Sequence, residues 1–360
     1  MGLLFYPRGG SAQVALYLAA ALAKAGWHTE LICGSLGQEG ERSNAATFFG
    51  DLEVHAAHYD PALAAAAAGR DPIAADFPLH PSFEDRLDAP DRVFAAVSPE
   101  LAETLAQAWT ELVASSLGAD VDLFHLHHLS PLQEAFARVR PDVPIVTHLH
   151  GTELKMIELA ERLRGIAAQL GLTLAELADR ADARQLPGLS GLAPEDLALA
   201  STTRWARWRH ADYWVQCMRL WAARSDRLLV ISPNDMDEVS RLLLLDGTRA
   251  TCIPNGVDLT VFAPEPVPPD LRLRNWRRWL VEEPQGWAEG AQAGTIAYSE
   301  ADLARFEPGS NGESNPVLMF VGRFTEVKRI PLLLRAFALA REQFVTPAPL
   351  VIWGGFPGEW

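Results

Sequence analysis

Gly2-Leu3-Leu4-Phe5-Tyr6-Pro7-Arg8-Gly9-Gly10-Ser11 opens the stretch that decides the fold, which continues through Val14, Leu18 and Leu22 to Gly26 and Thr29–Cys33. Gly2–Tyr6 is apolar and short, as a buried strand is. Pro7–Ser11 breaks it, and the recurrence of Val14, Leu18 and Leu22 marks one face of a helix that Gly26 ends. Thr29–Cys33 is a second strand. Strand, helix, strand in this order implies a parallel pair, a right-handed crossover and helices on both faces of the sheet. Further strands are expected at Val121–Leu126, Ile145–His150, Arg227–Ile231 and Ala250–Ile253. Helical segments alternate with them, which predicts an α/β doubly wound sheet.

The 360 residues exceed one ordinary domain, so two are expected. Residues 1–265 read as the first. Within them, 61–100 read as loop plus a short helix, and Met156 to about Arg224 as a helical stretch broken near Pro187-Gly188 and Gly191. Residues 266–315 are rich in proline and glycine and read as a linker, with Trp276, Trp279 and Trp287 favouring an ordered insertion over free coil. A second β-α-β unit begins at Pro316: strand Val317–Val321, helix Ile330–Gln343 and strand Pro349–Trp353. One such unit cannot cover both faces of its sheet, so residues 316–360 read as the start of a second domain that is incomplete.

The net charge of −15 argues against nucleic acid as a partner, because that surface needs to be basic. Apolar runs are far shorter than the roughly 20 residues of a membrane span, and the N-terminus lacks a signal-peptide pattern. A cytoplasmic location is expected, with peripheral membrane association as its variant. Cys33, Cys217 and Cys252 are odd in number and widely spaced, which implies neither a disulfide framework nor a metal knuckle.

Four signals carry chemistry. Gly9-Gly10 between strand and helix lets backbone N–H groups approach an anion or a sugar hydroxyl; a tight turn that needs glycine is the plainer reading. It is not a dinucleotide fingerprint, since the further glycines and an acid after the second strand are missing, which excludes an NAD-dependent oxidoreductase. His125-Leu126-His127 with His128, and His148-Leu149-His150, stand near the C-terminal ends of strands, where open α/β sheets bind ligands. Zinc is set aside because no carboxylate or cysteine stands at ligand spacing, so no metal or other cofactor is expected. Contacts to sugar hydroxyls by Gly151-Thr152-Glu153 and by the histidines are the preferred alternative to purely structural histidines. Arg323 and Lys328, delivered by Val321-Gly322 into a loop before a helix, suit a diphosphate, the guanidinium as a fork and the ammonium as a point charge; a solvated surface pair is the plainer reading. The fourth signal is Val230-Ile231-Ser232-Pro233 with Cys252-Ile253-Pro254-Asn255-Gly256-Val257-Asp258.

Taken in order, the glycine pair, His148-x-His150-Gly151-Thr152-Glu153, Val230–Pro233, Ile253–Asp258 and Gly322-Arg323-x4-Lys328 resemble the retaining glycosyltransferases of family 4, of the GT-B fold. The resemblance runs from residue 2 to about 355, with 156–210 and 266–315 as longer segments. It implies two Rossmann-like domains, the first acceptor-side and the second binding a nucleotide-diphosphate sugar, and metal-independent transfer with retention to a sugar, lipid or small-molecule acceptor. It implies His150 at the donor sugar and Arg323 and Lys328 on the diphosphate as catalytic residues. Gly9, Gly10, His127, Gly151, Thr152, Glu153, Asn255 and Glu326 follow as donor or acceptor contacts. Two positions depart from the family pattern. Arg329 stands where glycine is common, and the acidic E-x7-E motif is expected beyond residue 360. An inactive or binding remnant of such an enzyme, or a sugar-nucleotide epimerase, are the competing readings.

Overall fold

Strand β1 (Gly2–Leu3) is the hinge of the architecture, because the sheet grows outward from it in both directions. In this computed structural model residues 1–355 are described, apart from 88, 119, 183–187, 190, 264, 289, 290, 293, 310, 311, 326 and 327. The chain divides into two compact units, Met1–Asp258 and Leu259–Trp360.

In the first unit, β2 (Glu30–Ser35), β3 (Glu53–His58), β4 (Phe124–His127), β5 (Ile145–His148), β6 (Arg227–Val230) and β7 (Ala250–Cys252) join β1 in one sheet. The order is β3-β2-β1-β4-β5-β6-β7, and every pair is parallel. Leu3 is the register partner of both Cys33 and His127, so β1 lies between β2 and β4. Strand order reverses there, and the C-terminal ends of β1 and β4 flank the crevice where doubly wound sheets bind ligands.

Helices α1 (Gly9–Lys24), α2 (Ala45–Phe49), α3 (Asp60–Ala67), α4 (Pro99–Ser116) and α5 (Pro131–Val139) cover the sheet with α6 (Thr152–Gln169), α7 (Leu174–Asp182), α8 (Pro194–Thr202), α9 (Ala211–Arg224) and α10 (Pro233–Leu243). Helix α1 packs through Ala12, Ala15 and Ala19, small side chains that let it approach the sheet closely. Helix α5 starts with a capping box between Ser130 and Gln133 and Pro131 at its first turn. Ser232 caps α10 by accepting from the Asp235 N–H. The core is aromatic at its centre, with Tyr59, Phe94, Trp109, Phe124, Phe136 and Trp214 all below 3% exposure.

The structure departs from the sequence reading in two places. Strand β3 was not anticipated. The helical stretch after residue 156 starts earlier, at Thr152.

The second unit contains α11 (Pro269–Arg277), α12 (Glu300–Leu303), β8 (Leu318–Val321), α13 (Ile330–Ala340) and β9 (Leu350–Trp353). Strands β8 and β9 pair in parallel, Val321 opposite Trp353. Residues expected as linker or insertion fold against them: Trp276 packs on Phe306 at 4.8 Å, Trp279 meets Trp353 at 6.0 Å, and Trp276, Leu303, Phe306 and Val351 form a buried cluster. Among the described residues no helix is long and apolar enough to cross a membrane.

Candidate functional site

The first-unit site grows from the loops that leave β1, β4 and β5. After β1 the chain enters α1 through Gly9, whose φ of +69° is the left-handed conformation that glycine adopts without strain. A Cβ built at Gly9 or Gly10 would meet nothing within 4 Å, so this turn is open space. The first N–H groups of α1 lack helical partners and face a favourable dipole end. Beside them, Arg8 donates to Asp91 Oδ2 at 2.7 Å and to the Tyr6 hydroxyl at 3.0 Å, and Arg86 bonds to the same Asp91 oxygen. Burial pushes the Asp91 carboxyl up, but Arg8, His80 and Arg86 hold it below its ordinary value. Two guanidinium groups on one carboxylate leave one positive charge near the α1 N-terminus.

Next to this turn stands a stack of histidines. His125 and His127 alternate on β4 and so share a face. His127 is the register partner of His148 on β5, and His150 follows two residues later. Ring centroids lie 5.5 Å apart for His127–His148, 5.2 Å for His127–His150 and 4.8 Å for His148–His150, with interplanar angles of 12° to 23°. His127 Nδ1 lies 3.0 Å from His150 Nε2. Burial, then the neighbouring His148, pushes His125 down to about 3. Burial also pushes His148 down to about 4. His127 and His150 fall well below the ordinary histidine value, again through burial first and neighbouring histidines second. These four imidazoles are therefore neutral at pH 7, and each keeps a ring lone pair.

The loops after β4 and β5 are fastened to each other. His128 has a φ of +67°, a left-handed conformation that costs a non-glycine residue on the order of 1–2 kcal/mol. It is held by its N–H to the His148 carbonyl at 2.9 Å, by Gln133 donating to its carbonyl, and by Nδ1 at 3.4 Å from Glu153 Oε2. Glu153 is fully buried, and it accepts from the His150 N–H at 3.1 Å and the Thr152 hydroxyl at 3.2 Å. Burial raises this carboxyl, but His128 and the backbone N–H groups outweigh it and keep the group below its ordinary value. A carboxylate only accepts, so the proton between the two side chains resides on His128 Nδ1.

The loops thus gather Gly9, Gly10, His127, His150, Gly151, Thr152 and Glu153 at the C-terminal edge of one sheet. Two of these differ from expectation. Glu153 was expected to meet sugar hydroxyls, yet both of its oxygens are committed inside the protein. His127 is fully buried and hydrogen-bonded to His150, which is half-buried and remains the accessible ring. Gly151 has a φ of +82° and N-caps α6, and Thr152 is half-buried. Sequence reasoning grouped His128 with the ligand-facing histidines and missed that it fastens the two loops; the signal available was Gln133 three residues after Ser130, which marks a capping box that fixes the preceding turn. Asn255 is exposed in the loop after β7.

In the second unit, Arg323 follows β8, and Lys328 and Arg329 precede α13. All three are exposed, and among the described residues none has a carboxylate partner. Arg329, where glycine was the usual residue, holds φ +50° and ψ +38° as the N-cap of α13. Glu326 lies outside the described residues. At the opposite edge of the first-unit sheet, a cavity of about 550 Å³ is lined by Glu134, Arg138, Arg140, Asp142, Arg224 and Asp226. Its basic side chains are paired with Glu103, Glu134 and Asp142, which leaves little charge for a ligand.

An all-parallel sheet with a glycine turn and a polar cluster at its switch point defines a doubly wound α/β protein. The chain belongs to Glycosyltransferase Family 4, whose family model matches residues 8–261. No curated protein matches it. Among solved structures, HepE of Anabaena in complex with UDP and glucose is 11% identical with a TM-score of 0.45, covering 99% of this chain and 61% of that one. A substituted Os79 from O. sativa in complex with UDP is 13% identical with a TM-score of 0.38, covering 98% and 67%. LpCGTa in complex with UDP is 15% identical with a TM-score of 0.31, covering 97% and 69%. The chain thus spans 61% of the length of HepE, and likeness at this level carries no residue roles across.

Proposed function

We propose that this chain serves a metal-independent, retaining glycosyl transfer from a nucleoside-diphosphate sugar to a hydroxyl-bearing acceptor, within a GT-B enzyme. The observation that carries the reading is the trio Arg323, Lys328 and Arg329: exposed, without carboxylate partners among the described residues, at a strand–loop–helix junction in a chain of net charge −15. Family membership supports the reaction class.

As the bond from the anomeric carbon to the diphosphate oxygen breaks, negative charge grows on the leaving group. A guanidinium binds two of its oxygens, the ammonium neutralises a third, and the positive dipole end of α13 adds a smaller share. Stabilising that developing charge is worth about 3–4 kcal/mol per donor lost. In this reading His150, neutral and half-buried, contacts the donor sugar near the reacting carbon, Gly9 and Gly10 admit a ligand close to the backbone, and Thr152 meets a hydroxyl. Glu153 is a positioning residue: it orients the His150 backbone and the His128 ring.

The test is binding and turnover with a panel of UDP-, GDP-, ADP- and TDP-sugars, read by ligand-observed NMR and by release of nucleoside diphosphate. The reading expects one nucleotide class to bind and to be released on transfer, with the product keeping the donor's anomeric configuration. Inversion would overturn retention, and no binding of any nucleotide sugar would overturn the reading as a whole.

A further inference from the structure

We propose that His127, His148 and His150 form a binding site for a divalent transition-metal ion, zinc foremost. One ring nitrogen from each lies within 4.8 Å of the nitrogens of the other two. Imidazole nitrogens bound to tetrahedral zinc at about 2.0–2.1 Å stand roughly 3.3–3.4 Å apart, so sub-ångström ring shifts close the site for the 3.0 Å His127–His150 pair.

An independent observation points the same way. His148 is 4% exposed and neither of its ring nitrogens has a hydrogen-bond partner; the Nε2 atoms of His125, His127 and His128 are likewise buried and unpartnered. An unmet buried polar atom costs about 1–3 kcal/mol, and so many in one place mark a missing partner. The donor set is all nitrogen, which suits zinc, copper or nickel and excludes magnesium and calcium, whose ligands are oxygen. Glu153, the nearby carboxylate, is committed to His128, Thr152 and the His150 N–H. Three ligands leave a fourth position for water, and the half-buried His150 ring gives access. The proton shared by His127 and His150 moves to the far nitrogen of its own ring, so binding changes the tautomer and not the net charge.

In the sequence no cysteine or carboxylate stands at zinc-ligand spacing from these histidines. The structure supplies the third ligand differently, by setting β4 and β5 in register and curving His150 back onto the pair. This ion does not replace Arg323 and Lys328. If His150 contacts the sugar as proposed above, the metal-loaded and sugar-bound forms exclude each other, but the test does not depend on that.

The test is zinc titration by calorimetry of the chelator-stripped chain, with X-ray absorption on the zinc-loaded protein. The expected result is one ion per chain, a first shell of three imidazole nitrogens, and a rise in Tm on loading. His148→Ala should weaken binding by at least about a hundredfold, the upper end of what losing even an outer-shell partner costs. His28→Ala is the control for the exposed His28, Glu30 and Glu53 group, and should leave binding unchanged. His127→Gln is the second ligand variant should His148→Ala fail to fold, and the wild-type absorption spectrum decides on its own if both fail. The proposal is overturned by absence of stoichiometric binding, by an oxygen-dominated shell, by full affinity in the ligand variants, or by loss of binding in His28→Ala.

Discussion

His128 and Glu153 meet at the C-terminal edge of the sheet, Nδ1 to Oε2 at 3.4 Å, and join the loop after β4 to the loop after β5. The pair is almost entirely out of water, with side chains 5% and 0% exposed. Glu153→Ala strands the His128 Nδ1–H, the His150 N–H and the Thr152 hydroxyl together. At about 1–3 kcal/mol for the buried His128 N–H left unpaired, and less for the two half-buried groups, the substitution should cost about 2–3 kcal/mol in urea unfolding. Glu153→Gln keeps the volume and one acceptor and should cost about half of that. Stability of Glu153→Ala within 0.5 kcal/mol of wild type would show that this carboxylate does not fasten the loops (an order-of-magnitude criterion for a surface-like substitution).

His80 gives the fold a pH dependence of definite sign. Burial first, then the Arg8 charge, pushes it down to about 3, so it is neutral when folded. The unfolded chain protonates near the ordinary value of about 6.5. Its contribution to stability is therefore complete above about 6.5 and is lost progressively down to about 3, at up to about 1.4 kcal/mol per pH unit. His80→Asn should flatten the slope of stability against pH between about 6 and 4 by that amount. An unchanged slope would mean that the ring is protonated in the fold.

Arg329 occupies a left-handed conformation that glycine would adopt without a Cβ penalty. Arg329→Gly should stabilise the second unit by about 0.5–1 kcal/mol, relief of strain being partly offset by the looser unfolded chain. A loss of stability would show that the arginine side chain holds this junction together.

Gly10 separates folding from ligand approach. Its φ is ordinary and a Cβ there meets nothing, so Gly10→Ala should leave Tm unchanged or slightly raised. If the α1 turn lets a ligand come close to the backbone, the same methyl should weaken ligand binding by about tenfold, roughly 1.4 kcal/mol. Unaltered affinity for donor and acceptor would leave the glycine pair as a turn and nothing more.

The alternation of apolar strands and amphipathic helices was legible because each strand buried on both faces is a short apolar run, as in Ile145–His148 and Arg227–Val230. Strand β3 escaped because Glu-Val-His-Ala-Ala-His sits at the sheet edge, mostly half-buried, and its composition is not strand-like. The histidine pairs announced a site, since spacing two on a strand fixes a shared face. Their depth did not show, because burial of His127 depends on what β5 brings over it. Glu153 was misread for a related reason: a Thr-Glu pair at a helix start looks solvent-facing until the loop from β4 closes on it with His128. The cations at Arg323 and Lys328 could be read for position but not for pairing, which is set by distant carboxylates.

The diphosphate clamp is the central claim, and steady-state kinetics of Lys328→Ala in catalytically competent protein tests it most directly. The ammonium acts on charge that develops in the transition state, so kcat should fall by about a hundredfold or more with a smaller change in KM. Arg323→Lys should also be poorly tolerated, because a bidentate fork becomes a point charge. The dipole of α13 adds only about 0.3–1 kcal/mol and cannot compensate. Unchanged kcat with a raised KM would mean that the lysine holds substrate and transition state equally, and full activity in both variants would place the diphosphate elsewhere and contradict the account.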